Sequence, residues 1–141
     1  MGGLRYRQGL RTGDGRRVAA YRVFGSLFFG SVTKLEQLLD PAHDPARPPD
    51  DIVVLELHQV INLDTTGLDA LRSVHRMLQR RGGRLLIADP NEQPLSLMQR
   101  SGFLDSIGND AVYDTLGDAL ASTGDMEHAS QSYAQARKYS Q

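Results

Sequence analysis

The segment 61–67, and within it Asp64-Thr65-Thr66-Gly67, has the residue types and the position to bind an anion or carry a phosphoryl group. It follows a run of residues typical of a buried strand and begins a run with the apolar spacing of a helix. In open α/β sheets, ligands and partners dock at this end of a strand. A helix N-terminus also leaves backbone N–H groups unpaired and carries a partial positive charge, which favours an anion or a phosphate. We therefore predict a binding site at Asp64, Thr65, Thr66 and Gly67.

The four residues have distinct expected roles. Asp64 fits as the N-cap, with its carboxylate accepting from the N–H groups of Thr66 or Gly67. Thr65 and Thr66 place hydroxyl groups at the helix start. A phosphoryl group there would add roughly two negative charges beside Asp64 while facing the helix dipole. The residue types by themselves favour a plain helix cap, in which Gly67 only allows close packing, and leave the binding site as the alternative.

Other residues with chemical potential form weaker patterns. Asp89 follows the next buried strand, and two carboxylates at one sheet edge would suit acid–base chemistry in a small hydrolase. Asp89-Pro90 is, however, more typical of a turn that starts a helix. The chain has no cysteine and no nucleophile-elbow or P-loop pattern. The chain has four histidines without the paired spacing of a metal site, namely His43, His58, His75 and His128. We therefore predict no metal, no cofactor and no enzymatic activity.

A strand–helix–strand unit is expected to position the segment. Residues 52–57 are nearly all apolar or β-branched, which is typical of a strand buried on both faces of a parallel sheet, and residues 84–88 repeat the pattern. Between them, Gly82-Gly83 ends a helix whose apolar residues recur at helical spacing. That stripe consists of Leu68, Leu71, Val74, Met77 and Leu78. The crossover should be right-handed.

The remaining pattern predicts an α/β sandwich with a mostly parallel sheet of four or five strands and about four helices. A proline-rich stretch at 40–50 is expected to be a loop. The other expected elements are strands at 18–24, 27–29 and 111–113 and helices at 31–39, 92–100 and 114–121.

Bulk composition narrows the classes of function. A chain of 141 residues fits one domain, and a formal net charge of -1 predicts no affinity for nucleic acid. No stretch approaches the roughly 20 apolar residues that cross a bilayer. Residues 1–22 nevertheless hold six arginines against one acid, Asp14. This segment is either a solvated terminus or a basic segment near anionic lipid headgroups, where each arginine contributes about 1 kcal/mol.

An Asp followed by two hydroxyl residues and Gly, between a buried strand and an amphipathic helix, resembles the loop of STAS domains. That family includes bacterial anti-sigma factor antagonists and the cytoplasmic C-terminal domains of SulP anion transporters. In the antagonists, a partner kinase phosphorylates the hydroxyl residue after the Asp, and the resemblance transfers this role to Thr65, which stands where Ser is usual. Leu27-Phe28-Phe29-Gly30 is similar to the transporter branch, since antagonists generally carry a polar residue near Phe28. The segments 81–86 and 101–104 also match the family.

The resemblance covers residues 17–122 and implies a non-catalytic cytoplasmic regulatory domain of a sulfate or related anion transporter, tethered to the plasma membrane. Residues 1–16 would be a flexible basic lead-in with a short strand, and residues 123–141 a polar tail. The implied partners are the membrane portion of the same polypeptide or complex, a regulatory protein, a nucleotide or anion, and a second copy of the chain. The alternative is a free-standing anti-sigma factor antagonist switched at Thr65.

Overall fold

A computed structural model describes residues 3–11, 16–24, 28–39 and 51–123. The predicted loop at 40–50 and the tail after Thr123 lie outside these residues. These ranges contain five strands and five helices, namely β1 (Gly3–Arg11), β2 (Arg17–Phe24), α1 (Phe28–Leu39), β3 (Ile52–Glu56), α2 (Thr65–Arg80), β4 (Arg84–Ala88), α3 (Glu92–Arg100), α4 (Phe103–Ile107), β5 (Val112–Tyr113) and α5 (Leu116–Ala121), with a 3₁₀ turn at Asn109–Ala111.

The strands form one sheet in the order β1-β2-β3-β4-β5, which confirms the predicted α/β fold with a mostly parallel sheet. Strands β2 to β5 run parallel, and β1 pairs antiparallel with β2. All five residues of β3 and the last four of β4 are buried. Their apolar, β-branched composition follows from this burial on both faces. The lead-in at 1–16 holds a strand of nine residues, so this part of it belongs to the sheet.

Helices cover both faces of the sheet. Because β2, β3, β4 and β5 follow one another in the same direction, right-handed crossovers place α1, α2 and the α3–α4 pair on one face. Helix α1 packs against α2, while α5 contacts β3, β4 and β5. The predicted stripe of α2 faces the core, where Leu68, Leu71, Val74 and Leu78 are buried. The largest fully buried side chains include Tyr21, Phe103 and Leu55.

The prediction of a short strand at 27–29 is wrong for its described residues. Helix α1 begins at Phe28, three residues before the expected start. An aromatic pair favours a strand by propensity. The same residues, however, continue the helical spacing of α1, since Phe28 lies four residues before Val32 and seven before Leu35. Val32 and Leu35 are fully buried, so the tertiary packing of these two residues of the helix outweighs the local preference.

Helix α4 was not expected from the sequence. It has five residues, too few to show a periodic pattern, and it lies between two glycines with positive φ, Gly102 at 81° and Gly108 at 99°. Its residues Phe103, Leu104 and Ile107 are nonetheless buried. The signal that could have located it is this apolar trio between two glycines.

A buried ion pair joins β2 and β3 near their carboxyl ends. Arg22 and Glu56 are register partners, and two hydrogen bonds link them, Nε to Oε1 at 2.7 Å and Nη2 to Oε2 at 3.1 Å. The side chains are 13% and 6% exposed. Glu56 is the charged member of the described core, so its negative charge depends on the guanidinium opposite.

Removing one partner of this pair should destabilise the fold strongly. We expect Glu56→Ala to lower the free energy of unfolding by about 3–5 kcal/mol, because it removes the carboxylate that forms two hydrogen bonds with the largely buried Arg22 guanidinium. The double variant R22M/E56M removes both charges and should lose clearly less, as measured by urea unfolding. Equal losses in the two variants would show that the pairing of charges is not the stabilising feature.

His75 forms the contact between α2 and α4. Its ring meets that of Phe103 edge-on, with centroids 6.4 Å apart, and the Arg72 guanidinium lies 5.8 Å from the Phe103 centroid. Within the described residues, Nδ1 of His75 is buried without a hydrogen-bond partner. Burial lowers the pKa of His75 below its usual 6.5, and the positive charge of Arg76 lowers it further, against a smaller opposing effect of a hydrogen bond to the Ser106 backbone.

This lowered pKa predicts a loss of stability in mild acid. Between the folded-state pKa and 6.5, the unfolded chain binds more protons at this position than the folded chain, so stability rises with pH there. The contribution is complete above pH 6.5 and is lost as the pH falls through the folded-state pKa. Urea unfolding across this range should therefore show a flatter pH dependence for His75→Gln than for the unchanged chain. Identical slopes would contradict the prediction.

Candidate functional site

The candidate site is built on the N-cap of α2. Oδ1 of Asp64 accepts a hydrogen bond from the Gly67 N–H at 2.8 Å, and Asp64 itself is extended, with φ -103° and ψ 177°. The predicted cap is therefore present, with Gly67 as the donor. An N-cap of this kind contributes about 1 kcal/mol. Asp64, Thr65 and Thr66 are exposed, whereas Gly67 is buried, so the two hydroxyl residues stand at the surface on the first turn of the helix.

The loop before the cap adds an apolar side chain to this surface. Ile61 is 66% exposed and is the exposed large hydrophobic residue of the described chain. Beside it lies an open groove of about 510 Å³, lined by Ile61, Asn62, Asn91, Glu92, Gln93, Ser96 and Arg100. The sequence placed Ile61 and Asn62 in the site segment, but nothing in it indicated that the start of α3 forms the other wall.

Two amide side chains from the start of α3 hold the loop in place. Gln93 pairs with the backbone of Leu63 in both directions, accepting from its N–H at 2.6 Å and donating to its carbonyl at 2.8 Å. Asn91 donates to the carbonyls of His58 and Val60 at 2.7 and 2.8 Å. The loop's backbone groups therefore bond to α3 rather than to water, which positions Ile61 and Asp64. Sequence reasoning missed both residues, since their partners lie about thirty positions away.

Asp89 lies beside the same loop, but its geometry argues against a pair of catalytic carboxylates. Its Oδ2 meets Nδ1 of His58 at 2.9 Å, and the two side chains are 44% and 53% exposed. Asp89 adopts φ 51°, a left-handed conformation typical of a tight turn, as the Asp89-Pro90 pattern predicted. The Asp64 carboxylate is bonded to the cap and that of Asp89 to His58. The arrangement therefore positions loops and does not aim two carboxylates at a shared substrate.

The described ranges contain neither a candidate metal site nor a candidate membrane span. Across residues 3–11, 16–24, 28–39 and 51–123, no group of three His, Asp or Glu residues could hold a metal ion. In the same ranges, no helix has the length and apolar character needed to cross a membrane.

Comparison with protein families identifies the family to which this fold belongs. The model of the STAS domain matches residues 14–119, which include the whole of the Asp64 loop and α2. The chain belongs to the STAS domain family. Strands β2 to β5 and the helices between them fall inside the matched range, so the parallel part of the sheet is the part that the family shares.

The curated relatives are sulfate transporters. The chain is 31% identical over 112 residues to sulfate transporter 3.2 of Arabidopsis thaliana, covering 74% of this STAS domain and 17% of the plant protein. It is 30% identical over 97 residues to the putative sulfate transporter YvdB of Bacillus subtilis, covering 69% and 18%. The chain thus spans less than a fifth of the length of these relatives.

Solved structures match the fold in both branches of the family. A sulfate transporter family protein from Wolinella succinogenes is 27% identical with a TM-score of 0.66, covering 75% of this chain and 84% of that one. The STAS domain of a SulP transporter from Vibrio cholerae has a TM-score of 0.64 at 23% identity, covering 73% and 77%. The anti-sigma factor antagonist SpoIIAA has a TM-score of 0.63 at 16%, covering 83% and 92%. The last two show the fold alone.

The hydrogen bonds from Gln93 to Leu63 predict that their loss increases the mobility of the loop before α2 more than that of the rest of the domain. Gln93→Ala removes two hydrogen bonds, each contributing about 1 kcal/mol, so global stability should fall by roughly 2 kcal/mol. Hydrogen exchange should accelerate most at residues 58–63, because the Leu63 backbone loses its partner. Gln99→Ala, an exposed change on the same helix, serves as the control. Uniform acceleration across the sheet, or none in the loop, would contradict the positioning role of Gln93.

Proposed function

We propose that this STAS domain is a non-catalytic regulatory and interaction module of a SulP-type sulfate or related anion transporter. The similarity to sulfate transporters of a plant and a bacterium supports it, as does the small fraction of those proteins that the chain matches. The proposed location is the cytoplasmic side of the plasma membrane, tethered to the membrane portion of the same polypeptide or complex.

The proposed working surface is the carboxyl edge of the sheet, where Ile61, Thr65 and Thr66 are exposed together. This is the observation that carries the proposal, because ligands and partners of open α/β sheets dock outside the carboxyl ends of the strands. Ile61 would insert into a regulatory partner or a second copy of the domain. Asn62 and Arg100, which line the groove beside Ile61, would contact the partner at the rim of this interface.

Asp64, Thr65, Thr66 and Gly67 would set the charge of this surface. An anion or a nucleotide phosphate at the start of α2 would meet the positive end of the helix dipole. Phosphorylation of Thr65 would place roughly two negative charges next to the Asp64 carboxylate and beside Ile61. Such a change would weaken an apolar contact at Ile61, and the domain would act as a charge-controlled switch.

Substitutions in the intact transporter would test the proposal. Ile61→Asp should weaken partner binding by about 2 kcal/mol, the effect of losing an interface anchor, and sulfate uptake should change accordingly. Thr65→Glu should act in the same direction, while Gln79→Ala, an exposed change at the far end of α2, should have no effect. The measurement is uptake of labelled sulfate, normalised to the amount of transporter in the membrane. Unchanged uptake in both site variants would refute the proposed surface.

The second candidate is a free-standing anti-sigma factor antagonist that is switched at Thr65. The exposure of Thr65 directly after the capping Asp64 favours it, and SpoIIAA shares the fold in its unphosphorylated and phosphorylated forms. The reading frame upstream of the chain discriminates between the candidates. Membrane spans in that frame would exclude the antagonist. A frame without spans, together with a co-encoded kinase whose labelling of the chain is abolished by Thr65→Ala, would favour it.

A further inference from the structure

A second groove lies between α2 and α4, away from the Asp64 loop. It has a volume of about 390 Å³ and is lined by Arg72, His75, Arg76, Gln79, Phe103 and Ser106. None of these six residues is acidic, and none of them lines the groove beside Ile61. Arg76 lies about 16 Å from Thr65 along α2, since each residue of a helix rises 1.5 Å. We call this second groove the α2–α4 groove.

Arg72 is held in a fixed orientation at the wall of the α2–α4 groove. Its Nη2 donates to the Ser101 carbonyl at 2.9 Å, and its guanidinium carbon lies 5.8 Å from the centroid of the Phe103 ring. A guanidinium has several N–H donors, so the bond to Ser101 leaves others for a ligand. Because these contacts already order the side chain, a ligand bound here loses little affinity to ordering it.

Arg76 adds a second guanidinium one helical turn further along α2. Residues four apart on a helix are neighbours on one face, so Arg72 and Arg76 line the same wall of the groove. Nη2 of Arg76 donates to the Ser73 hydroxyl at 3.3 Å, which is a long hydrogen bond. Within the part of the chain that the structure describes, neither arginine forms an ion pair with a carboxylate. Both therefore have N–H groups available for a ligand.

The acids of the described elements around this groove do not reverse its positive charge. Burial raises the pKa of Glu36 on α1, and the nearby Arg76 guanidinium lowers it. Asp69 and Asp105 are exposed and do not line the groove. The pKa of His75 reflects the charge at the wall, since burial lowers it and the positive charge of Arg76 lowers it further. The opposing effect on His75 comes from a backbone hydrogen bond rather than from an acid.

We propose that the α2–α4 groove binds a tetrahedral oxyanion, a sulfate or phosphate group, through Arg72 and Arg76. Guanidinium groups bind such anions through pairs of parallel N–H···O hydrogen bonds. Gln79 and Ser106 line the groove and would supply further donors. A groove of this volume also admits a small organic phosphate, so the group can be a free ion or part of an ester. This inference concerns a different surface from the proposed regulatory site and does not depend on it.

Titration of the whole 141-residue chain with sodium sulfate and with sodium phosphate tests the proposal. Sodium chloride at the same ionic strength is the control for screening. NMR shifts should saturate with sulfate and phosphate but not with chloride, and they should centre on residues 72–79 and 101–108. Adenosine 5′-monophosphate distinguishes the two sources of the group. Tighter binding than inorganic phosphate would assign the groove to a phosphate ester, and equal or weaker binding would assign it to the free ion.

Three single substitutions locate the binding in the groove. Arg76→Gln should weaken binding about tenfold, the effect of losing one charge-assisted hydrogen bond. Lys34→Gln removes an exposed positive charge on α1, outside the groove, and should bind like the unchanged chain. Glu36→Gln should strengthen binding about threefold, because it removes a carboxylate near Arg76. Misfolding cannot produce this gain.

Three results would overturn the proposal. The first is the absence of saturable shifts in the unchanged chain, and the second is an equal response to chloride. The third is an equal loss of binding in Arg76→Gln and Lys34→Gln, which would show that net charge rather than the groove attracts the anion.

Discussion

The burial of β3 and β4 on both faces of the sheet is the constraint on which the rest of this molecule depends. A parallel strand covered on both faces can carry almost no polar side chain, and Glu56 is tolerated only because Arg22 pairs with it from the neighbouring strand. Polar and charged groups are therefore confined to the two ends of the strands and to the outer faces of the helices. The Asp64 loop occupies the carboxyl end of the strands.

At the carboxyl ends of the strands, a few hydrogen bonds are enough to position the Asp64 loop. One carboxylate caps α2, and two amides from α3 bind the backbone that leads to it. Each bond contributes on the order of 1 kcal/mol, but together they determine the path of the loop from β3 to α2. The consequence is that Ile61 remains exposed although it lies between the buried residues Val60 and Leu63.

The sheet and its main helices could be predicted because their signals are local. Residues 52–57 and 84–88 are nearly all apolar, and α2 combines a cap, a periodic stripe and a terminal glycine, with Gly82 at φ 73°. Where the local signal was ambiguous, prediction failed. Phe28 and Phe29 have strand propensity but belong to α1, because Val32 and Leu35 extend their spacing into the core. Helix α4 is too short for any period to appear.

The sequence by itself determined the family, the parallel sheet and the capped helix, and it predicted the four residues of the candidate site, since each depends on neighbours within one helical turn or one strand. Tertiary structure alone decided what surrounds those residues. Gln93 reaches Leu63 across thirty positions, and Arg16 reaches Gly82 across sixty-six. Contacts at such separations leave no periodic trace in a single sequence, because they arise only when parallel strands bring the ends of distant segments to a common edge.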